Sequence, residues 1–235
     1  MITFGLDPQS VLGRVPIPAT RPVPTLRESV LRGVIGFTLV SITGFVPWAV
    51  FGRALHGAIG EGGMYGVCAA VFIGLSGLTL HPLIIGPGSL VRFYKLFSLA
   101  FGLYAVLWTA GWMSLGGTIG GIVGLLSGTA VMGWLFGTAF GAKSAILKTI
   151  AALFILNALG YFGGGWTMSA IASWDGLGMG GHAMAKSTRR TIAMLSWGGC
   201  YGIGFGAGLG LAFYFCQAPV RSQLALRGLK TESAG

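Results

Sequence analysis

Few side chains in this sequence are equipped for chemistry. The acids are Asp7, Glu28, Glu61, Asp175 and Glu232; the histidines are His56, His81 and His182; the cysteines are Cys68, Cys200 and Cys216. His56, His182, Glu61 and Asp175 are ligand types that a divalent metal accepts. They come from separate segments, with no HxH or HxxxH spacing, so ordinary surface polarity accounts for them and no metal is expected. His81-Pro82 closes an apolar run, where a cap or turn role suffices. The sharper alternative is a pigment or haem ligand, because a neutral imidazole can ligate a metal inside a membrane bundle. The three cysteines lie in apolar segments without a CxxC, and an odd number cannot pair fully within one chain. They read as buried thiols. The run Gly202-Ile-Gly204-Phe-Gly206-Ala207 fits the loose dinucleotide fingerprint, but that fingerprint needs a preceding strand and an acid about 20 residues on. Here it lies inside an apolar run, and the next acid is Glu232. Nucleophile elbow, HExxH, P-loop and paired membrane carboxylates are absent, so the chain is not expected to be an enzyme or to carry a cofactor.

The elements around these residues belong to a membrane. Of 235 residues, 54% are hydrophobic and only 9% charged, against about 25% charged in a soluble domain. The charges punctuate long apolar runs. Twenty uncharged residues separate Arg32 from Arg53, 30 separate Glu61 from Arg92, and 47 separate Lys95 from Lys143. A spanning helix needs about 20 apolar residues, so the longest run holds two, with a break near Ser114-Leu115-Gly116-Gly117. The fold class is therefore an all-α integral membrane protein of about six transmembrane helices. These are expected from Arg32 to Arg53 and over 63–81, 95–114, 117–141, 144–162 and 190–216, the fifth ending at Gly163-Gly164-Gly165. The chain divides into an extended proline- and arginine-rich arm over 1–32, a bundle over 33–217 and a basic tail over 218–235. Prolines 16, 18, 22 and 24 favour the extended form of the arm, which lacks the apolar core of a signal peptide.

Six helices put both termini on one side. That side carries Arg14, Arg21, Arg27, Arg32, Arg92, Lys95, Lys143, Lys148, Arg221, Arg227 and Lys230; the other carries Arg53, Lys186, Arg189 and Arg190. The positive-inside rule places the termini in the cytoplasm, or the matrix of a mitochondrion. Trp48, Trp108, Trp112, Trp166, Trp174 and Trp197 fall toward the outer end, as an interfacial aromatic belt would. The net charge of +10 thus reads as orientation and contact with anionic lipid rather than nucleic acid, for which no basic module appears. Arg53, Lys186, Arg189 and Arg190 run against the trend. They are expected to salt-bridge Glu61 and Asp175, or to meet lipid or an acidic partner. Arg221 and Arg227 face headgroups. A bacterial cytoplasmic membrane is the first expectation for location, the mitochondrial inner membrane the second.

Glycine is the most patterned residue. Gly198, Gly202, Gly206 and Gly210 recur every four residues, and Gly204 and Gly208 form a second such pair. Positions two apart on a helix point about 200° from each other, so this helix has two smooth, nearly opposite faces. Gly116, Gly120, Gly124 and Gly128, then Gly133 and Gly137, repeat the device. Small residues let helix backbones approach closely where lipid removes the hydrophobic drive. Whether the partner helix belongs to the same chain or another is left open by spacing. The function expected is a non-catalytic accessory or scaffolding membrane protein. It would pack through a glycine zipper with itself as a homo-oligomer or with a larger, bioenergetic, membrane complex. The alternative is a channel or facilitator for a small solute, lined by Ser41, Thr43, Ser76, Thr79, Ser98, Thr109, Ser127, Thr129 and Asn157.

The pattern G-x-G-x-G-x-G-x-A-x-x-x-C-Q, from Gly204, Gly206, Gly208, Gly210 and Ala212 to Cys216 and Gln217, resembles the second membrane helix of the small two-helix subunit of the mitochondrial contact-site (MICOS) complex. Trp197 and the pair Arg189-Arg190 sit where that family has a tryptophan and a basic pair. The resemblance covers about 14 residues and implies oligomerisation through glycine motifs and bending of the membrane. The runs FGAKSAILKTIAALFILNALGYFGGGW and WGGCYGIGFGAGLGLAF also resemble uncharacterised bacterial multi-pass membrane proteins, a likeness that implies no activity.

Overall fold

The structure, a computed structural model, describes residues 4–15, 23–174 and 184–232, with side chains as far as residue 227. No strand occurs among the described residues. Helix α1 spans Pro8–Leu12, α2 Leu26–Leu80, α3 Ser89–Leu115, α4 Gly117–Ala139, α5 Ile146–Ser173, α6 Lys186–Cys216 and α7 Ala218–Glu232. Five of them are long and apolar enough to cross a membrane.

The long α2 is broken at Gly60, whose φ of 72° and ψ of 176° are not helical. Only glycine occupies that region without strain. The two arms then run antiparallel. A Cβ on Gly36 would stand 2.9 Å from Leu80, one on Gly44 2.6 Å from Phe72, and one on Gly52 3.7 Å from Met64, partner numbers falling as the first rise. Gly116 repeats the device with φ 62° and ψ 174°, reversing the chain between α3 and α4. Helices α5 and α6 form a third hairpin. The fold is thus three antiparallel hairpins, with α6 central: the first arm of α2 covers one side and α5 the other.

An aromatic column fills the interior. Phe93, Phe97, Phe101 and Tyr104 follow one another along α3 at ring separations of 4.8, 5.2 and 5.5 Å. Phe205 and Phe213 of α6 pack on them, with Phe37 and Phe136 behind. Residues four and three apart share a helix face, so this spacing aims all four rings at α6.

Several boundaries differ from expectation. The first long helix begins at Leu26, not 33, because Thr25 and Glu28 form a reciprocal capping box. Residues 4–15 are not an extended arm. Asp7 accepts a 3.0 Å bond from the Ser10 amide and starts α1, and Leu6, Val11 and Leu12 are buried against the bundle. Hydrogen bonds from the Ser10 hydroxyl and amide hold the Asp7 carboxyl below its usual range. The prolines at 16, 18 and 22 lie outside the described residues. Helix α5 does not end at Gly163-Gly164-Gly165 but continues to Ser173. Glycine weakens a helix by about 1 kcal/mol without breaking its hydrogen bonds, and Gly164 is where Trp197 of α6 lies against α5. The tail over 218–227 is helical and anchored by buried Val220.

Both terminal segments and two connections meet at one end. The buried Arg92 guanidinium donates to the carbonyls of Pro87 at 2.7 Å, Ile85 at 3.1 Å and Gly5 at 3.4 Å. Gln217 clamps the 83–85 connection: its Oε1 accepts from the Ile85 amide and its Nε2 donates to the Leu83 carbonyl, both at 2.8 Å. Arg227 donates to the Leu12 carbonyl at 3.3 Å.

Candidate functional site

Two features stand out: the glycine contacts between helices and an aromatic cavity at the end of the bundle where the three hairpins turn. The spacing of α6 defines the first. Gly198, Gly202, Gly206 and Gly210 meet the first arm of α2. A Cβ on Gly198 would stand 3.2 Å from Phe45, and one on Gly202 2.6 Å from the Thr38 Cα. Gly206 lies against Gly33 and Gly210 against Ser29 and Val30. Ser41 ties the same interface by donating to the Gly198 carbonyl at 2.6 Å. Gly204 and Gly208, on the other side, meet α5 at Gly160 and Leu153.

The second stripe is divided between two neighbours. Gly120 lies against Gly111, Gly124 against Trp108 and Gly128 against Tyr104, all on α3. Gly133 and Gly137 instead lie against Ile150 and Ile146 of α5. Gly116 is the hairpin tip, and nothing lies within 4 Å of where a Cβ on it would be, so it takes no part in this packing. These glycines pack within one chain and offer no open groove to another. Their partners Gly33, Gly111 and Gly160 escape a reading of the sequence because none of them marks a conspicuous run. The signal was there in register: each is the small residue that an antiparallel neighbour brings opposite the stripe.

One small-residue stripe remains open. Gly62, Gly66, Ala70 and Gly74, on the second arm of α2, are all exposed, and nothing lies within 4 Å of where a Cβ would be on the three glycines.

The cations separate into two groups. Arg53, Lys186 and Arg190 are exposed, and Arg189 donates to the Trp174 carbonyl. Arg221 lies 3.6 Å over the Tyr214 ring, and Arg227 holds α1. Partial burial lowers the Arg221 pKa from its ordinary value. His81 Nδ1 is paired with Ser89 Oγ at 3.0 Å, across the turn between α2 and α3. Asp175 and His182 lie outside the described residues, and no group of three metal-ligating side chains occurs among those described. The hydroxyls of Thr43, Ser127 and Thr129 bond to carbonyls of their own helices, while Asn157 donates to the Tyr104 hydroxyl at 2.9 Å.

The cavity measures about 170 Å³ and is partly open. Phe45 and Trp48 come from the first arm of α2, Tyr65 from the second, Trp108 and Trp112 from α3, and Trp197 from α6. Its deep end is set by Tyr104 and Tyr201, whose hydroxyls bond at 3.1 Å. Eleven of its sixteen lining residues are aromatic and none is charged. Tyr65 donates out of the lining to Glu61 at 3.0 Å. All four of these tryptophans are among those the sequence pattern sets toward the outer interface. That they line one cavity together is not visible in that pattern, because a belt and a cage draw on the same residues.

No known protein family, curated protein or solved structure matches the chain.

Proposed function

We propose that the chain is a non-catalytic scaffolding protein of a membrane that associates with a second copy of itself through the second arm of α2. The single observation behind this is the open stripe Gly62, Gly66, Ala70 and Gly74, in a bundle whose other four-spaced glycine stripes are taken up internally. The stripe runs about 18 Å along the helix at 1.5 Å per residue. A small-residue face is self-complementary: two copies related by a two-fold axis bring backbone to backbone and gain dispersion contacts lipid chains cannot match. The chain already uses this mode where Gly33 meets Gly206.

In this reading the two arms of α2 each cross the bilayer, making six crossings. Both termini lie on the cytoplasmic side of a bacterial membrane, or the matrix side of a mitochondrial one, by the excess of Lys and Arg at that end. The cations there contact anionic headgroups. Docking onto a larger membrane complex would use the same arm.

Native-mass analysis after gentle extraction tests the reading. The wild-type chain is expected as a dimer. Gly66→Ile with Gly74→Ile is expected as a monomer of unchanged melting temperature, since neither side chain enters the bundle. A wild-type chain that is monomeric in its native lipid would overturn it.

A further inference from the structure

The aromatic cavity is not needed for association and calls for its own explanation. Close packing is the rule in helix bundles, and voids larger than a water molecule are few. A dry apolar cavity of about 150 Å³ is enough to admit benzene, and this one measures about 170 Å³. We propose that it binds a small, neutral, planar ring compound carrying a hydrogen-bonding oxygen, drawn from the bilayer.

Each part of that description follows from the walls. Planarity follows from the rings: Trp108 and Trp112 lie parallel within 7°, and Tyr65 stands edge-on to Trp108 at 5.5 Å, leaving flat faces for offset or edge contact. Neutrality follows from the lining, which offers no charged partner to a ligand that would lose its hydration. A cation could use the ring faces, but Arg53, Lys186, Arg189 and Arg190 cluster at this end of the bundle and oppose it, against the single carboxylate of Glu61 among the described residues there. The oxygen follows from Trp108 and Trp197. Both line the cavity, and their buried indole N–H groups have no hydrogen-bond partner among the described residues. A hydroxyl or carbonyl oxygen on the ring would accept from one of them.

Cys68 also lines the cavity, whereas Cys200 and Cys216 do not, so alkylation reports occupancy directly. Protein in mild detergent is treated with N-ethylmaleimide with and without 2-naphthol, and each cysteine is followed by peptide mass spectrometry. At ten times the dissociation constant obtained by titrating the protection, empty sites fall to about one in eleven, so Cys68 should react about tenfold more slowly. Cys200 should be unaffected, and 2-naphthalenesulfonate should protect nothing. Ala69→Leu with Ala105→Leu fills the cavity and should abolish protection with no loss of melting temperature; if the pair fails to fold, Ala105→Leu alone serves. An unchanged Cys68 rate, equal protection by the sulfonate, or protection that survives in the filled variant would each overturn the proposal. Protection by added long-chain phospholipid alone would mark the space as an acyl-chain slot and overturn it too.

Discussion

Gly202→Ala is the sharpest test of the glycine contacts. The new methyl would stand 2.6 Å from the Thr38 Cα and 2.9 Å from the Ser41 Cβ. Carbon atoms rest at about 3.5–4.0 Å, so α6 and the first arm of α2 must separate by about 1 Å. Backbone is the obstacle, so no rotamer change relieves it. A gap of that size forfeits up to about half of each contact's dispersion energy along the stripe. Overpacking of this kind costs about 1–3 kcal/mol. The bond from Ser41 to the Gly198 carbonyl, now 2.6 Å, stretches beyond hydrogen-bonding range and adds about 1 kcal/mol. Alanine's better helix propensity returns up to about 1 kcal/mol, leaving a net loss of about 1–3 kcal/mol. Gly199→Ala is the control: it lies on the same helix with nothing within 4 Å of the added methyl, and should be neutral or slightly stabilising. Unfolding in mixed micelles, followed by tryptophan fluorescence, measures both. Equal stability of the two variants would refute the packing argument.

Two further outcomes follow from the connections. Gln217→Leu removes the clamp on Ile85 and Leu83; it should cost about 2–3 kcal/mol by stranding two backbone groups, and amide exchange at Ile85 should accelerate. Gly60→Ala and Gly116→Ala force alanine into a region open mainly to glycine and should each cost about 1–3 kcal/mol in the same micelle assay, whereas Gly57→Ala, in an open helical site, should not.

Much of the architecture was legible in the sequence. Charge punctuation marked the apolar runs, because burying a charge in lipid is costly and charges therefore gather toward the ends of the spans, where the chain turns. The break near Ser114 to Gly117 was legible because two helices need about 40 residues and a reversal needs glycine. The opposed faces of α6 were legible because helical geometry converts spacing into angle. Less visible was the hairpin tip at Gly60, which sits among Gly57, Gly62 and Gly63 and differs from them only in conformation. The start of α2 was misplaced because charged Arg27, Glu28 and Arg32 can form a helix outside lipid as readily as an apolar run forms one within it. The end of α5 was misplaced because three glycines look like a stop, and only the neighbouring Trp197 shows why one of them belongs inside a helix.

The sequence by itself determined the solvent, the helical class and which residues are smooth enough for close contact, since these depend on composition and on a period of 3.6. Only the tertiary structure decided who meets whom. Antiparallel register between distant segments sets Gly33 against Gly206, turns Trp48, Trp108 and Trp197 into one cage, and leaves Gly62, Gly66 and Gly74 uncovered. The period within a helix is local, whereas register is settled by the fit of all three hairpins at once.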